Sequence, residues 1–164
     1  MAYSIHRHLA FNTWATTQLA HVLKETADDI YFRDNKSSFP SIAKTVAHMY
    51  GAQNIWLSRL QGNIQNTRPS AEFEKDKQRT LNGLVESANE LQLFIASKDD
   101  AFLASEYSYN NLKGEPCRDP VEDTLFHVVN HNTYHRGQII TMLREAGVTN
   151  VVSTDLIHYL RKHK

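Results

Sequence analysis

Apolar residues recur at steps of three and four along four long stretches of the chain, the period of helices that bury one face. In the first, residues 3–25, the seam is Ile5, Leu9, Asn12, Thr16, Leu19 and Leu23, so a helix with apolar ends is interrupted by a polar waist. The second runs to about Leu60, with a main row of Ile42, Val46, Met49, Trp56 and Leu60. A second row of Thr45, His48, Ala52 and Ile55 widens its face enough for two neighbours. Ser38 or Ser41 can cap its start, Pro40 is tolerated in a first turn, and Gln61-Gly62-Asn63 ends it. The third is expected from about Glu72 to Ser97, along Phe73, Lys77, Thr80, Leu84, Ser87, Leu91 and Ile95. Its charges, Glu72 to Arg79, read as a solvated face.

The fourth stretch opens at Asp119-Pro120, with Asp119 as expected N-cap and Glu122 and Asp123 complementing the helix dipole, and closes at Gly147. Its buried stripe is Val121, Leu125, Val128, Ile139, Leu143 and Ala146. Residues 63–71, with Pro69, form a connection short by bundle standards. Residues 104–119 carry an aromatic alternation before a Lys-Gly turn, as in a small hairpin or an extended lid. Ser153 or Thr154 starts a last helix from Asp155 to about Lys162. The expected fold is all-α: one domain over residues 1–164, a four-helix bundle with a short accessory C-terminal helix and a small β-hairpin.

Composition narrows the function by exclusion. Eighteen basic and eighteen acidic side chains cancel over 164 residues, so no global field draws the protein to nucleic acid or an anionic membrane. No apolar run approaches the ~20 residues of a membrane span, and the N-terminus lacks the apolar core of a signal peptide, so the expected location is cytoplasmic. Cys117 is the one cysteine, which excludes an intrachain disulfide and fits a reducing compartment.

Candidate chemistry concentrates in residues 124–144, where His127, His131 and His135 recur every fourth position. On a helix that spacing stacks imidazoles along one face, a known way to offer a metal two nitrogens. A step of four overshoots a turn by about 40°, so the outer two stand roughly 80° apart and at most two of the three meet one ion. His135 lies at the edge of the buried arc, His131 one step out and His127 beyond it, so His131 and His135 are the expected pair. Asn132 and Arg136 fall on the same stripe and give this helix, too, a polar waist, which costs folding energy unless it is satisfied. Gly137 beside Arg136 reads as a site of close helix packing.

The run His-Asn-Thr-Tyr-His-Arg-Gly-Gln-Ile, followed by Leu-Arg-Glu-Ala-Gly, resembles the signature of the DinB/YfiT-like metal-binding helical bundles. The resemblance implies a three-histidine site in which His131 and His135 are joined by His48 of Thr-Val-Ala-His-Met-Tyr. It also implies a less usual helix order and a homodimer. Some relatives are thiol S-transferases that use low-molecular-weight thiols, and others resemble maleylpyruvate isomerase.

Three neutral imidazoles favour a divalent metal, zinc or nickel foremost with iron or copper as alternatives, and leave a position open for water or a small-molecule substrate. The reading that follows is a metal-dependent thiol S-transferase acting on a small electrophile. Its alternatives are a hydrolase using metal-bound water and a non-catalytic metal- or ligand-binding stress-response protein. No carboxylate stands where an H-E-x-x-H zinc protease places its base. Asn12, Thr16, Tyr134 and Gln138 are the candidate pocket residues.

Overall fold

The structure, a computed structural model, describes residues 4–36, 39–63 and 73–163. The expected cap Ser38, the body of the 63–71 connection and the expected start at Glu72 lie outside the described residues.

Four long helices appear where the periodicity places them: α1 (Ile5–Glu25), α3 (Ile42–Leu60), α4 (Lys77–Ala96) and α6 (Val121–Glu145). Each start has a chemical cause. Ser4 Oγ accepts from Arg7 N, Ser41 Oγ from Lys44 N and Asp76 Oδ1 from Arg79 N, each satisfying a donor that the first turn leaves unpaired. Gly62 and Gly147, at φ 79° and 85°, supply the left-handed residues just past the ends of α3 and α6. The short α2 (Asp28–Tyr31) and α5 (Asp100–Leu103) turn the chain at either end of the bundle, and α7 (Leu156–Lys162) lays Tyr159 against Phe11 and Trp14 of α1.

Strands β1 (Glu106–Asn110) and β2 (Pro116–Pro120) form the hairpin, antiparallel with Tyr107 opposite Asp119 and Tyr109 opposite Cys117. The expected N-cap role of Asp119 is corrected here. Pro120 occupies the cap without a side-chain bond, because Asp119 belongs to β2 and its Oδ2 accepts from Tyr109 Oη at 2.6 Å.

The core has two halves. At one end Leu19, Leu23, Ile42, Val46, Leu81, Leu84, Ile139 and Leu143 pack together; at the other Ile5, Leu9, Leu57, Leu60, Leu91, Ile95, Val121 and Leu125 do. Sharing these residues fixes the helix directions: α1 and α6 run one way, α3 and α4 the other. The end of α3 and the start of α4 therefore lie at opposite ends of the bundle, whose length is about 28 Å for a helix of 19 residues. Helix α1 packs on α4 and α6, and so does α3, so the first two long helices stand on one diagonal and the last two on the other.

Candidate metal centre

Between the two apolar halves lies a layer of buried polar side chains, the waist expected from α1 and α6. Gln53 of α3 is its hub. Its Oε1 accepts from Asn132 Nδ2 at 2.7 Å and Asn12 Nδ2 at 3.4 Å, while its Nε2 donates to Ser87 Oγ at 2.7 Å and Leu84 O at 3.4 Å. Arg136, 1% exposed, donates from Nη1 to Asn12 Oδ1 at 2.8 Å and Thr16 Oγ1 at 3.5 Å, and from Nη2 to Thr133 Oγ1 at 2.7 Å. Among the described residues no carboxylate pairs with this guanidinium, and burial holds its pKa down at about 10. Asn132 Oδ1 and Arg136 Nε have no partner among the described residues.

This layer fixes α6 against α1 and α3 through residues that directly follow His131 and His135 in the chain. His131 and His135 thereby face His48 of α3. One ligand atom from each of His48, His131 and His135 lies within 4.8 Å of the others, and His48 Nε2 is 2.9 Å from His131 Nε2. Nitrogen donors around a tetrahedral ion at 2.0–2.1 Å stand about 3.3 Å apart, so the three rings need only small rotations to share one. His135 Nδ1 lies 2.7 Å from Gln138 Oε1; donating to that oxygen puts the ring's lone pair on Nε2. The side chains present thus fit a divalent ion.

Burial first, then the neighbouring His135, His48 and His127, lower the pKa of His131 to about 4, and burial lowers that of His135. Neutral imidazoles, the form that binds metal, therefore prevail at neutral pH. His127 is exposed, with its ring against Trp56 at 5.3 Å, and is not part of the cluster.

Phe39, on the loop before α3, stacks on His48 with ring centroids 4.1 Å apart and meets His135 edge-on at 5.6 Å. Periodicity carries no signal for a residue in a loop, and only its place beside Pro40 at a helix start hinted at a packed position. Beside the histidines opens a cavity of about 360 Å³, whose walls include Phe39, His48, His131, Ile55, Trp56 and Arg59. That volume lies in the range of small-molecule sites.

The four candidate pocket residues part company. Gln138 supports His135. Asn12 and Thr16, buried at 1% and 0% exposure, are not among the residues that line the cavity; they point into the bundle, where Gln53 and Arg136 occupy their polar groups. Tyr134 is 60% exposed, touches His135 ring to ring at 5.0 Å and does not line the cavity either. Gly137 likewise departs from expectation: it faces solvent, and a Cβ there would meet nothing within 4 Å.

A family model described as the DinB family matches residues 1–163. The chain belongs to the DinB family. Protein DinB of Bacillus subtilis (strain 168) is 33% identical over 156 residues, covering 92% of this chain and 90% of that protein. The crystal structure of a DinB-like protein from Bacillus cereus ATCC 10987 superposes with a TM-score of 0.68 at 19% identity, covering 93% of this chain and 99% of that one, a likeness of fold. This DinB family member thus carries, on the family's bundle, a three-histidine cluster that could hold a metal. No helix among its described residues is long and apolar enough to cross a membrane.

Proposed function

We propose that the protein binds a divalent metal through His48, His131 and His135 and is a metal-dependent thiol S-transferase acting on a small electrophile. The observation that carries the reading is the convergence of three imidazoles from two helices on one point at the wall of a ligand-sized cavity. A structural zinc site is closed by four protein ligands; three, with a cavity beside them, leave a coordination position for chemistry. The all-imidazole donor set suits zinc or nickel first, and iron or copper after them. When bound, the ion would supply Lewis acidity that ionises a thiol at neutral pH.

The chain's own residues prepare the rest. Gln138 orients His135 by accepting from Nδ1, and Phe39 shields one face of His48 from water. The waist holds α6 in the rotation that points His131 and His135 inward, at no cost in flexible loops. The apolar wall of Ile55 and Trp56 offers a surface for the electrophile's body.

The test is elemental analysis of protein purified without a histidine tag, followed by thiol-consumption assays with small electrophiles. About one metal per chain is expected in wild type and in His127→Ala, and loss of it in His48→Ala, His131→Ala and His135→Ala. Turnover should require added thiol. Wild-type protein that takes up no metal on titration overturns the reading; metal-dependent turnover without thiol replaces it with hydrolysis.

A further inference from the structure

Part of the cavity wall comes from the hairpin. Leu112, at the tip between β1 and β2, lines the cavity together with Ile55 and Trp56 of α3 and Phe39 of the loop before that helix. Gly51 and Ala52 lie between His48 and Ile55 on the same lining face of α3, and their small size keeps the floor low there.

A leucine is out of character at this tip. Hairpin turns favour residues that bond their own backbone or adopt left-handed conformations, and here Asn111 does the bonding. Its Oδ1 accepts from Lys113 N at 2.9 Å and from Glu115 N at 3.1 Å, its Nδ2 donates to Glu115 Oε2 at 2.7 Å, and its O accepts from Gly114 N at 3.0 Å. Leu112 takes part in none of these bonds and is 55% exposed. The tip is nonetheless held in place. Tyr107 Oη lies 3.0 Å from Thr124 Oγ1 of α6, and Asn110 O accepts from Arg59 Nη2 of α3 at 3.3 Å, so the hairpin is moored to both helices that carry the histidines. An apolar side chain that the turn does not need is thus fixed at the rim of the cavity beside the histidine cluster. An apolar body lying in the cavity covers Leu112, Ile55 and Trp56 together and releases the water that otherwise wets all three.

We infer that Leu112 is a specificity-determining residue of this site: the apolar body of the electrophile packs between the hairpin tip and α3 while its reacting end faces the histidine cluster. The reacting end rests on the transferase reading above. The contact at Leu112 does not, and is tested without metal.

The probe is N-phenyl-1-naphthylamine, an uncharged fluorophore that brightens on leaving water, titrated into metal-free protein. Leu112→Ala should weaken its binding about five- to tenfold, since the probe can cover only the part of the side chain that the protein leaves open. Leu112→Met, which keeps the apolar bulk, should bind as wild type does. Ala52→Phe, which fills the cavity floor, should abolish binding. Leu93→Ala is the control: Leu93 is 69% exposed on α4, does not line the cavity, and its loss should change nothing. Wild-type affinity in Leu112→Ala, equal weakening in Leu93→Ala, binding that survives Ala52→Phe, or no brightening with wild type overturns the inference. His131→Ala should keep the probe while losing metal. Failure of metal uptake therefore removes the transferase reading and leaves Leu112 in its role, whereas a probe indifferent to Leu112 removes the role and leaves the metal reading.

Discussion

Gln53→Met is the sharpest probe of the polar layer, since methionine keeps the length and approximate volume of the side chain and removes only its amide. Four hydrogen bonds disappear, two of them short: Asn132 Nδ2 to Oε1 and Nε2 to Ser87 Oγ, each 2.7 Å. Asn132 Nδ2 keeps Asn12 Oδ1 at 3.3 Å and Ser87 Oγ keeps Leu84 O at 3.1 Å, so neither donor is stranded. Asn12 Nδ2 loses the acceptor that Gln53 supplied, inside a bundle where it is 1% exposed. A buried donor left unpaired costs about 1–3 kcal/mol and each lost short bond about 1 kcal/mol net, while the methionine recovers part through burial of an apolar group. The expected loss is about 2–4 kcal/mol, or about 4–16 °C in Tm for a chain of this size. Urea unfolding of metal-free protein should show a lower midpoint at unchanged slope. A loss under about 1 kcal/mol at the same slope refutes the idea that the layer is held together through Gln53.

Three further outcomes follow from particular contacts. Because burial holds His131 near 4 and also lowers His135, while the unfolded chain binds those protons near 6.5, the unfolded state carries more protons in between. Metal-free protein should therefore lose stability as pH falls from 6.5 to 4, and His131→Leu should flatten that slope in urea titrations; parallel profiles for both proteins contradict the assignment. A Cβ at Gly83 would stand 2.7 Å from Tyr50 Cζ, whereas one at Gly137 meets nothing. Gly137→Ala should raise stability by the helix-propensity difference, about 1 kcal/mol, and Gly83→Ala should lower it despite the same propensity gain, as thermal unfolding will show.

Much of this was legible in the sequence because periodicity reports which positions face inward. Polar residues at the centres of two apolar seams, Asn12 and Thr16 in one helix and Asn132 and Arg136 in another, announced a buried polar layer before any partner was known. What periodicity omits is the partner. Gln53 stands in the main row of α3, four residues after Met49 and three before Trp56, but nothing in its neighbours marks it as the residue joining all four helices. For the same reason Asn12 and Thr16 were assigned to the pocket: a seam says inward, not toward which of two interior features. The third helix starts at Lys77 rather than Glu72, since Asp76 offers a cap that ends the preceding 3₁₀ turn Phe73–Lys75. His48 became a candidate ligand through resemblance; alone it is one histidine in a mostly apolar row.

The arrangement of the long helices has a consequence for how the chain reaches this fold. Every extensive contact between them joins α1 or α3 to α4 or α6. Neither α1 with α3 nor α4 with α6 packs extensively, so of the consecutive long helices only α3 and α4 can pair before the rest. Assembly waits on contacts between segments distant in sequence, which makes it slower than that of a bundle of neighbouring hairpins and more nearly all-or-none. His48 and His131, 83 residues apart, meet only when that event is complete. A chain cut between α3 and α4 should yield two fragments that are each unstructured and fold only on mixing, with metal capture as the signal that they have found one another.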